Sequence, residues 1–297
     1  MHVVVTGAAG RLARSVLPRL CAHASIERVT GIDRVAGAYR HPKFAHRVAD
    51  IADRTAHETL RDADALVNLA FVLLRGRMPL SAMTATNVDA TKALLSAAAD
   101  AGIASIVHLS SAAVYGHGAD LAEDAPLAPL PRFAYARHKA DVDRFVAATL
   151  PQVAVLRPAI VLGRNAQPLL KTLLALPFYV RVPDPQPRLC TVHEDDVAAA
   201  ALLALDRRAR GPFNLAAAST FSLRDVVRAR HPHAPGVPLA LAHAALRLAW
   251  RTTGFGGEPG WLDGARASLT LDCTRARSAL GWRPRYDDWS AIIASCN

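Results

Sequence analysis

Val3-Val4-Val5-Thr6-Gly7-Ala8-Ala9-Gly10-Arg11-Leu12-Ala13 is the stretch from which the rest of the chain is read. Three β-branched apolar residues predict a short buried strand, and the residues through Leu20 predict a helix. The small residues between them form a turn whose backbone can approach a pyrophosphate seated on the helix N-terminus. Ala13 stands where a third glycine is usual, and alanine satisfies the pattern there. Taken alone the turn is weak evidence, because glycine-rich turns also occur with no ligand.

The following residues strengthen it. Arg28-Val29-Thr30-Gly31-Ile32 predicts a second strand ending at Asp33, twenty positions beyond Ala13. A carboxylate there can hydrogen-bond an adenosine ribose and repels a 2′-phosphate, so NAD is expected over NADP, although Arg34 pulls the other way. A third short strand leads to Asp50-Ile51, and a fourth, Ala65 to Ala70, leads into Phe71 to Arg77. Strands alternating with helices predict an α/β fold with a parallel, doubly wound sheet that binds ligands at its C-terminal edge. Asp50, Leu69 and Ala70 lie at such strand ends.

Further along, a small-residue helix is expected from Ala82 to Ala101, with Asn87, Thr91 and Lys92 as polar exceptions. A strand from Ile103 to Ser111, a helix from Phe133 to Leu150 and a buried strand from Val153 to Pro158 follow. The stretch Gly163 to Arg188 is rich in Pro and Arg. Val192-His193-Glu194-Asp195-Asp196 starts an Ala/Leu helix, with Asp195 and Asp196 suited to its first turn. Phe213-Asn214-Leu215 resembles one more strand, and Thr220 to Arg230 a helix capped near Ser222. The remainder, with Trp250, Trp261, Trp282 and two glycine-rich patches, reads as an irregular substrate lobe. The expected division is residues 1–165 with 191–215 for the dinucleotide, and 166–190 with 216–297 for the substrate.

Chemistry concentrates between Ser111 and Lys139. An apolar strand ends in Ser110-Ser111, and after a loop rich in Pro and acid a helix carries Tyr135 and Lys139 one turn apart on one face. An ammonium beside a phenol favours the phenolate, so Lys139 is expected to lower the Tyr135 pKa toward the range useful for proton transfer. A hydroxyl such as Ser111 would hold the same substrate oxygen. Surface Tyr/Lys pairs are common, but lysine is scarce here, occurring only as Lys43, Lys92, Lys139 and Lys171.

Composition narrows the classes. With 297 residues and a net charge of +10, the chain can bury a sizeable core. Its arginines are scattered, without basic runs or interleaved aromatics, so no nucleic-acid partner is expected. Cys21, Cys190, Cys273 and Cys296 have neither C-x-x-C spacing nor scaffold density, so no metal is expected. No apolar run reaches membrane-spanning length, and Met1-His2-Val3 passes straight into a strand. A cytoplasmic protein with no membrane partner is expected.

These motifs, in order, resemble the extended short-chain dehydrogenase/reductase family, its NAD-dependent epimerase/dehydratase group. The resemblance rests on the glycine turn, Asp33, Asp50-Ile51, Asn87, Ser110-Ser111-Ala112-Ala113-Val114-Tyr115-Gly116, Tyr135-x-x-x-Lys139, Leu156-Arg157-Pro158 and His193-Glu194-Asp195-Asp196-Val197-Ala198. It implies a Rossmann-type sheet with a smaller, mixed C-terminal lobe. It implies Tyr135 as general acid/base, Lys139 on the nicotinamide ribose and Ser111 on the substrate hydroxyl. The dinucleotide would be surrounded by Gly7, Ala9, Gly10, Arg11, Leu12, Asp33, Arg34, Asp50, Ile51, Leu69, Ala70, Phe71, Asn87, Leu109, Tyr135, Lys139, Pro158 and Ile160. A homodimer through the helices at Ala82–Ala101 and Phe133–Leu150 is also implied.

The chain departs from the family pattern at several places. Asn68 stands where many relatives have His, Leu73 where an epimerase carries Lys, and Leu189-Cys190 where an Arg-Asp pair is usual. Arg164, Arg181 and Arg188 remain candidates for a substrate diphosphate, and so a sugar nucleotide and a smaller hydroxy or keto compound both stay open. His117, His138 and His193 read as structural, and Glu123 as a solvated loop acid. The competing class is a dinucleotide-sensing protein without turnover, which would not need Ser111, Tyr135 and Lys139 together.

Overall fold

The computed structural model describes residues 1–74, 76–182, 185–253, 260–264 and 266–296. Residues 254–257 of one glycine-rich patch, and the Trp261 side chain, lie outside that description.

The N-terminal part alternates as the pattern predicts. β1 (His2–Thr6) feeds α1 (Ala13–Ala22), β2 (Arg28–Asp33) and β3 (Phe44–Val48) follow, and α2 (Arg54–Thr59) leads to β4 (Ala65–Asn68). α3 (Leu80–Thr84) and α4 (Thr91–Asp100) are joined by a π-helical stretch at Ala85–Ala90, and β5 (Ser105–Leu109) comes next. The chain then runs through β6 (Gly118–Leu121), α5 (Ala134–Thr149), β7 (Ala154–Pro158), β8 (Ile160–Leu162) and α6 (Pro168–Leu174). β9 (Tyr179–Arg181), β10 (Leu189–His193), α7 (Glu194–Asp206) and β11 (Gly211–Leu215) follow. Last come β12 (Thr220–Phe221), α8 (Leu223–Arg230), β13 (Gly236–Pro238), α9 (Leu239–Thr253), α10 (Gly260–Asp263), β14 (Leu269–Leu271), α11 (Thr274–Ala279) and α12 (Trp289–Ala294).

Seven strands form one parallel sheet in the order β11-β7-β5-β4-β1-β2-β3. The order turns back at β1, where two halves wind in opposite senses and leave a crevice at the carboxyl edge. Alternate residues of each strand serve opposite faces. Val3 and Val5 enter the core under Leu17 and Leu20 of α1 and Ala201 of α7, whereas Val4 packs with Leu66, Ile106, Leu94 of α4 and Val142 of α5. Both faces being covered explains the continuous apolar runs.

A second sheet, β12-β10-β14-β6 with β8 on β10, stands beside the first, and β13 pairs β9. The second sheet draws β6 from between β5 and α5, so the chain leaves the main sheet after Ser111 and returns carrying Tyr135.

The helix expected over Ala82–Ala101 runs without a break from Leu80 to Asp100, as α3, the π-helical stretch and α4. The structure corrects two readings. Asp196 does not simply serve the α7 terminus: its carboxylate accepts from the Arg285 and Tyr286 amides at 2.8 and 3.1 Å, and its carbonyl accepts from Trp282 Nε1 at 2.9 Å. The C-terminal remainder is not irregular, since α9 to α12 and β14 order much of it and Trp282 is fully buried. The capping at Ser222 is a reciprocal box: its hydroxyl accepts from the Asp225 amide at 3.1 Å while that carboxylate takes the Ser222 amide at 2.9 Å.

Among the described residues no helix is long and apolar enough to cross a membrane, and no group of three or more His, Cys, Asp or Glu is placed to hold a metal. The four cysteines are free thiols and buried.

Candidate active site

The glycine turn is shaped by close approach. Gly7 has φ +70°, and a Cβ there would lie 2.7 Å from the Ala70 amide nitrogen, so only glycine lets the turn press against the end of β4. The Ala9 amide donates to Asp33 Oδ2 at 3.0 Å, and the Val35 amide to Oδ1 at 3.3 Å. Both carboxylate oxygens are thereby fixed at the tip of β2, facing the turn. No side chain caps the start of α1, where Leu12 is the N-cap; the Arg14 and Ser15 amides bond back to the Arg11 and Leu12 carbonyls at 3.1 and 3.0 Å, so it is the turn before them, Arg11 to Ala13, that can present amides to an anion. Arg34 Nε lies 3.9 Å from Asp50 Oδ2 in a loose, exposed ion pair, and Ile51 is buried beside it. Pyrophosphate cradle, ribose acid and apolar shelf all fit a dinucleotide.

One contact path joins this cradle to the proposed chemistry. Ala70 touches the Gly7 turn, and the next residue, Phe71, places its ring edge-on to Tyr135 (centroids 5.5 Å apart) and under the Lys139 ammonium (3.5 Å). The Phe71 backbone is held by its neighbour: Asn87 Oδ1 accepts from the Val72 amide at 2.7 Å and Asn87 Nδ2 donates to the Val72 carbonyl at 3.0 Å. Asn87 is fully buried in the π-helical stretch. Its amide therefore holds the backbone of the loop after β4.

Ser111 is the N-cap of a short 3₁₀ turn, Ala112–Tyr115, its Oγ accepting from the Ala113 amide at 3.2 Å. The same hydroxyl hydrogen-bonds the Tyr135 phenol. Burial pushes the Tyr135 pKa up to about 12, the Ser111 bond opposing it and the Asp143 carboxylate adding to it. Lys139 is 2% exposed, donates to the Leu109 carbonyl, and has its pKa brought down to about 7 by burial, with Asp143 opposing. The expected lowering of the phenol pKa by Lys139 is thus corrected. The i,i+4 spacing shares a face, but the ammonium turns to the Leu109 carbonyl and the Phe71 ring.

Beneath Lys139 a row of polar side chains crosses the main sheet at one register, Thr6, Asn68 and His108. The Thr6 hydroxyl donates to Asn68 Oδ1 at 2.5 Å, and Asn68 Nδ2 meets His108 Nδ1 at 3.0 Å. Burial and then Lys139 hold the His108 pKa far below its ordinary value, so a neutral ring underlies the ammonium. Asn68, noted as a departure, is the middle of this row.

A second network fixes α5. Arg157 Nε donates to Asp143 Oδ2 at 2.9 Å, and Nη1 to the Tyr115 hydroxyl at 2.8 Å and the Glu123 carbonyl at 3.0 Å. Tyr115 in turn donates to Asn214 Oδ1 at 2.8 Å, and the Asn214 amide to Glu123 Oε1 at 2.8 Å. Glu123 is therefore a half-buried strut with its pKa raised by burial, and not a solvated acid. Asp143, one turn beyond Lys139, was not singled out from the sequence. Its spacing from Lys139 repeats that of Tyr135 and Lys139 and was the available signal.

His193 caps α7, accepting from the Asp195 amide at 3.2 Å, and stacks on Tyr286 with ring centroids 3.8 Å apart. His138 Nε2 pairs with Thr84 Oγ1 at 3.0 Å, and His117 is exposed. Leu109 and Pro158 are the last residues of β5 and β7, and Ile160 begins β8. Leu189 is buried in an apolar pocket with Val180, Val182, Leu223, Leu239 and Leu262, while Arg188 binds Asp225 at 2.8 Å and the Thr220 carbonyl.

The chain is similar to several known proteins. The chain is 33% identical to dTDP-glucose 4,6-dehydratase of Streptomyces griseus over 144 residues, 43% of this chain and 44% of that one, so it spans about half that relative's length. It is 26% identical to UDP-glucose 4-epimerase of Streptococcus mutans over 99% of this chain and 95% of the relative. Among solved structures, MoeE5 in complex with UDP-glucuronic acid and NAD superposes with a TM-score of 0.77 over 99% of this chain and 97% of that one, at 22% identity, which shows a shared fold. The model of the NAD dependent epimerase/dehydratase family matches residues 3–216, the span from the first strand through β11 that holds the glycine turn, Ser111, Tyr135 and Lys139, and the chain belongs to that family.

Proposed function

We propose that the protein is an NAD-dependent enzyme of the short-chain dehydrogenase type that acts on an alcohol or ketone carbon, in an epimerase, dehydratase or dehydrogenase cycle. The observation that carries this reading is the contact path from the Gly7 turn through Ala70 and Phe71 to Tyr135 and Lys139. NAD would lie on residues 1–165 with 191–215, its pyrophosphate on the Gly7–Leu12 turn and its adenosine ribose on Asp33. Residues 166–190 and 216–297 would hold the substrate. When bound, NAD supplies the acceptor or donor for hydride.

The protein's own part is proton transfer and orientation. Tyr135, neutral at neutral pH, exchanges the proton on the substrate oxygen, and Ser111, already bonded to the phenol, holds that oxygen. Lys139 gives one donor to Leu109 and keeps others for the ribose hydroxyls. A sugar nucleotide is the substrate class supported by the dehydratase and epimerase relatives. A smaller hydroxy or keto compound is the second reading: Leu189 lies in an apolar pocket and Arg188 is paired with Asp225, which leaves Arg164 and Arg181 of the three candidate arginines for a diphosphate. A sensor without turnover is disfavoured by the intact Ser111, Tyr135 and Lys139.

The test is to titrate purified protein with NAD, then offer sugar nucleotides and small hydroxy acids while following nicotinamide absorbance and epimer formation. Turnover abolished by Tyr135→Phe supports the reading. NAD binding with no turnover of either class supports the sensor.

A further inference from the structure

α9 has two faces of different kinds. Leu239, Ala242, Leu246 and Trp250 are half-buried, and the helix packs on β9 and β13. On the opposite face Leu241 is 60% and Leu248 64% exposed, seven residues apart and so two turns along one line, with exposed Ala245 and Thr252 between and beyond them. The helix contains no acidic residue. Arg247 and Arg251 lie exposed along one border of the apolar line, and His243 turns to Asp263 at 3.2 Å.

A distant part of the chain extends this face. Arg77 Nη2 donates to the Thr252 carbonyl at 2.8 Å across 175 residues, bringing exposed Pro79 and Leu80, the latter 42% exposed, to the end of α9. Leucines flanked by arginines thus come from two segments joined by a hydrogen bond.

We propose that this rim docks the protein on an anionic lipid surface, with α9 lying in the plane of the headgroups. Isolated leucines on a convex helix, with arginines whose stems reach past them, match the requirements of an interfacial helix. A protein partner would be expected to meet an aromatic anchor or a concave pocket, and the exposed face of α9 carries neither. The net charge of +10 draws the molecule to negative lipid over a long range. Docking of this kind needs no spanning segment, and it differs from the expectation of no membrane partner read from the sequence.

The test is co-sedimentation of the full chain with vesicles of phosphatidylcholine alone and of phosphatidylcholine with phosphatidylglycerol in equal parts. Binding to the anionic vesicles only, falling as salt is raised, is the expected result. Leu241→Glu with Leu248→Glu should abolish it, and Arg247→Gln with Arg251→Gln should weaken it about tenfold or more. Calorimetric NAD affinity in the variants separates lost docking from lost folding. No binding to anionic vesicles overturns the proposal, as does equal binding by the glutamate variant. Light scattering then decides whether the glutamates break a contact between copies.

Discussion

Lys139 carries its charge in a place that resists it. Its pKa is about 7 in the fold against 10.5 in a free chain, so between these values the unfolded chain holds a proton that the native one has released. Stability therefore rises with pH from about 7 to 10.5, because the unfolded state binds more protons there. Tyr135 acts oppositely, since its pKa near 12 against 10.0 makes stability fall as pH climbs between those values. Denaturant unfolding as a function of pH should show the rise, and Lys139→Met should flatten it while weakening NAD binding. Tyr135→Phe should keep NAD affinity in calorimetry and lower turnover roughly 10²- to 10⁴-fold. Asp143→Ala strands a buried guanidinium, and urea unfolding should register a loss of about 3–5 kcal/mol. Residue identities at the site were legible because they sit at strand ends and in a spaced pair. The direction of the Lys139 ammonium was not, because its partners come from elsewhere in the chain, Leu109 from the end of β5 and Phe71 from the loop after β4, and residue spacing says nothing about them.

The turn between β1 and α1 is where an added atom has the largest consequence. Gly7→Ala places a methyl 2.7 Å from the Ala70 nitrogen and forces a side chain at φ +70°, so the turn must move away from β4. Loss of NAD binding, with far-ultraviolet circular dichroism little changed, is expected. NADP wins equal affinity only where Arg34 displaces Asp33, and with both Asp33 oxygens held by amides, calorimetry should favour NAD. Strands were readable from their apolar runs because both faces of a parallel sheet are covered. The π-helical stretch was not: it contains Asn87, whose bonds go to the Val72 backbone, a partner outside the helix that its own residue spacing does not announce. α9 was missed for a related reason: alanines on both faces blur the periodicity that separates its packed side from its exposed one.

At the scale of the molecule, Lys92 of α4 sits over the Phe145 ring of α5 at 5.5 Å, so the two helices expected to form a dimer already make one slab. Light scattering at micromolar concentration should report about twice the chain mass, and a mass of one chain excludes that arrangement. β6 has a different meaning. Between Ser111 and Tyr135 the chain detours to pair with β14, near its far end, and Asn214 donates to the Leu121 carbonyl and to the Asp272 carbonyl. The lobe is therefore not a cassette. A designer who grafts a relative's C-terminal segment to change the substrate also replaces the strand that β6 leans on, and so changes how far apart serine and tyrosine stand. Swapping specificity in this architecture requires moving residues 118–121 together with the end of the chain, as one discontinuous module.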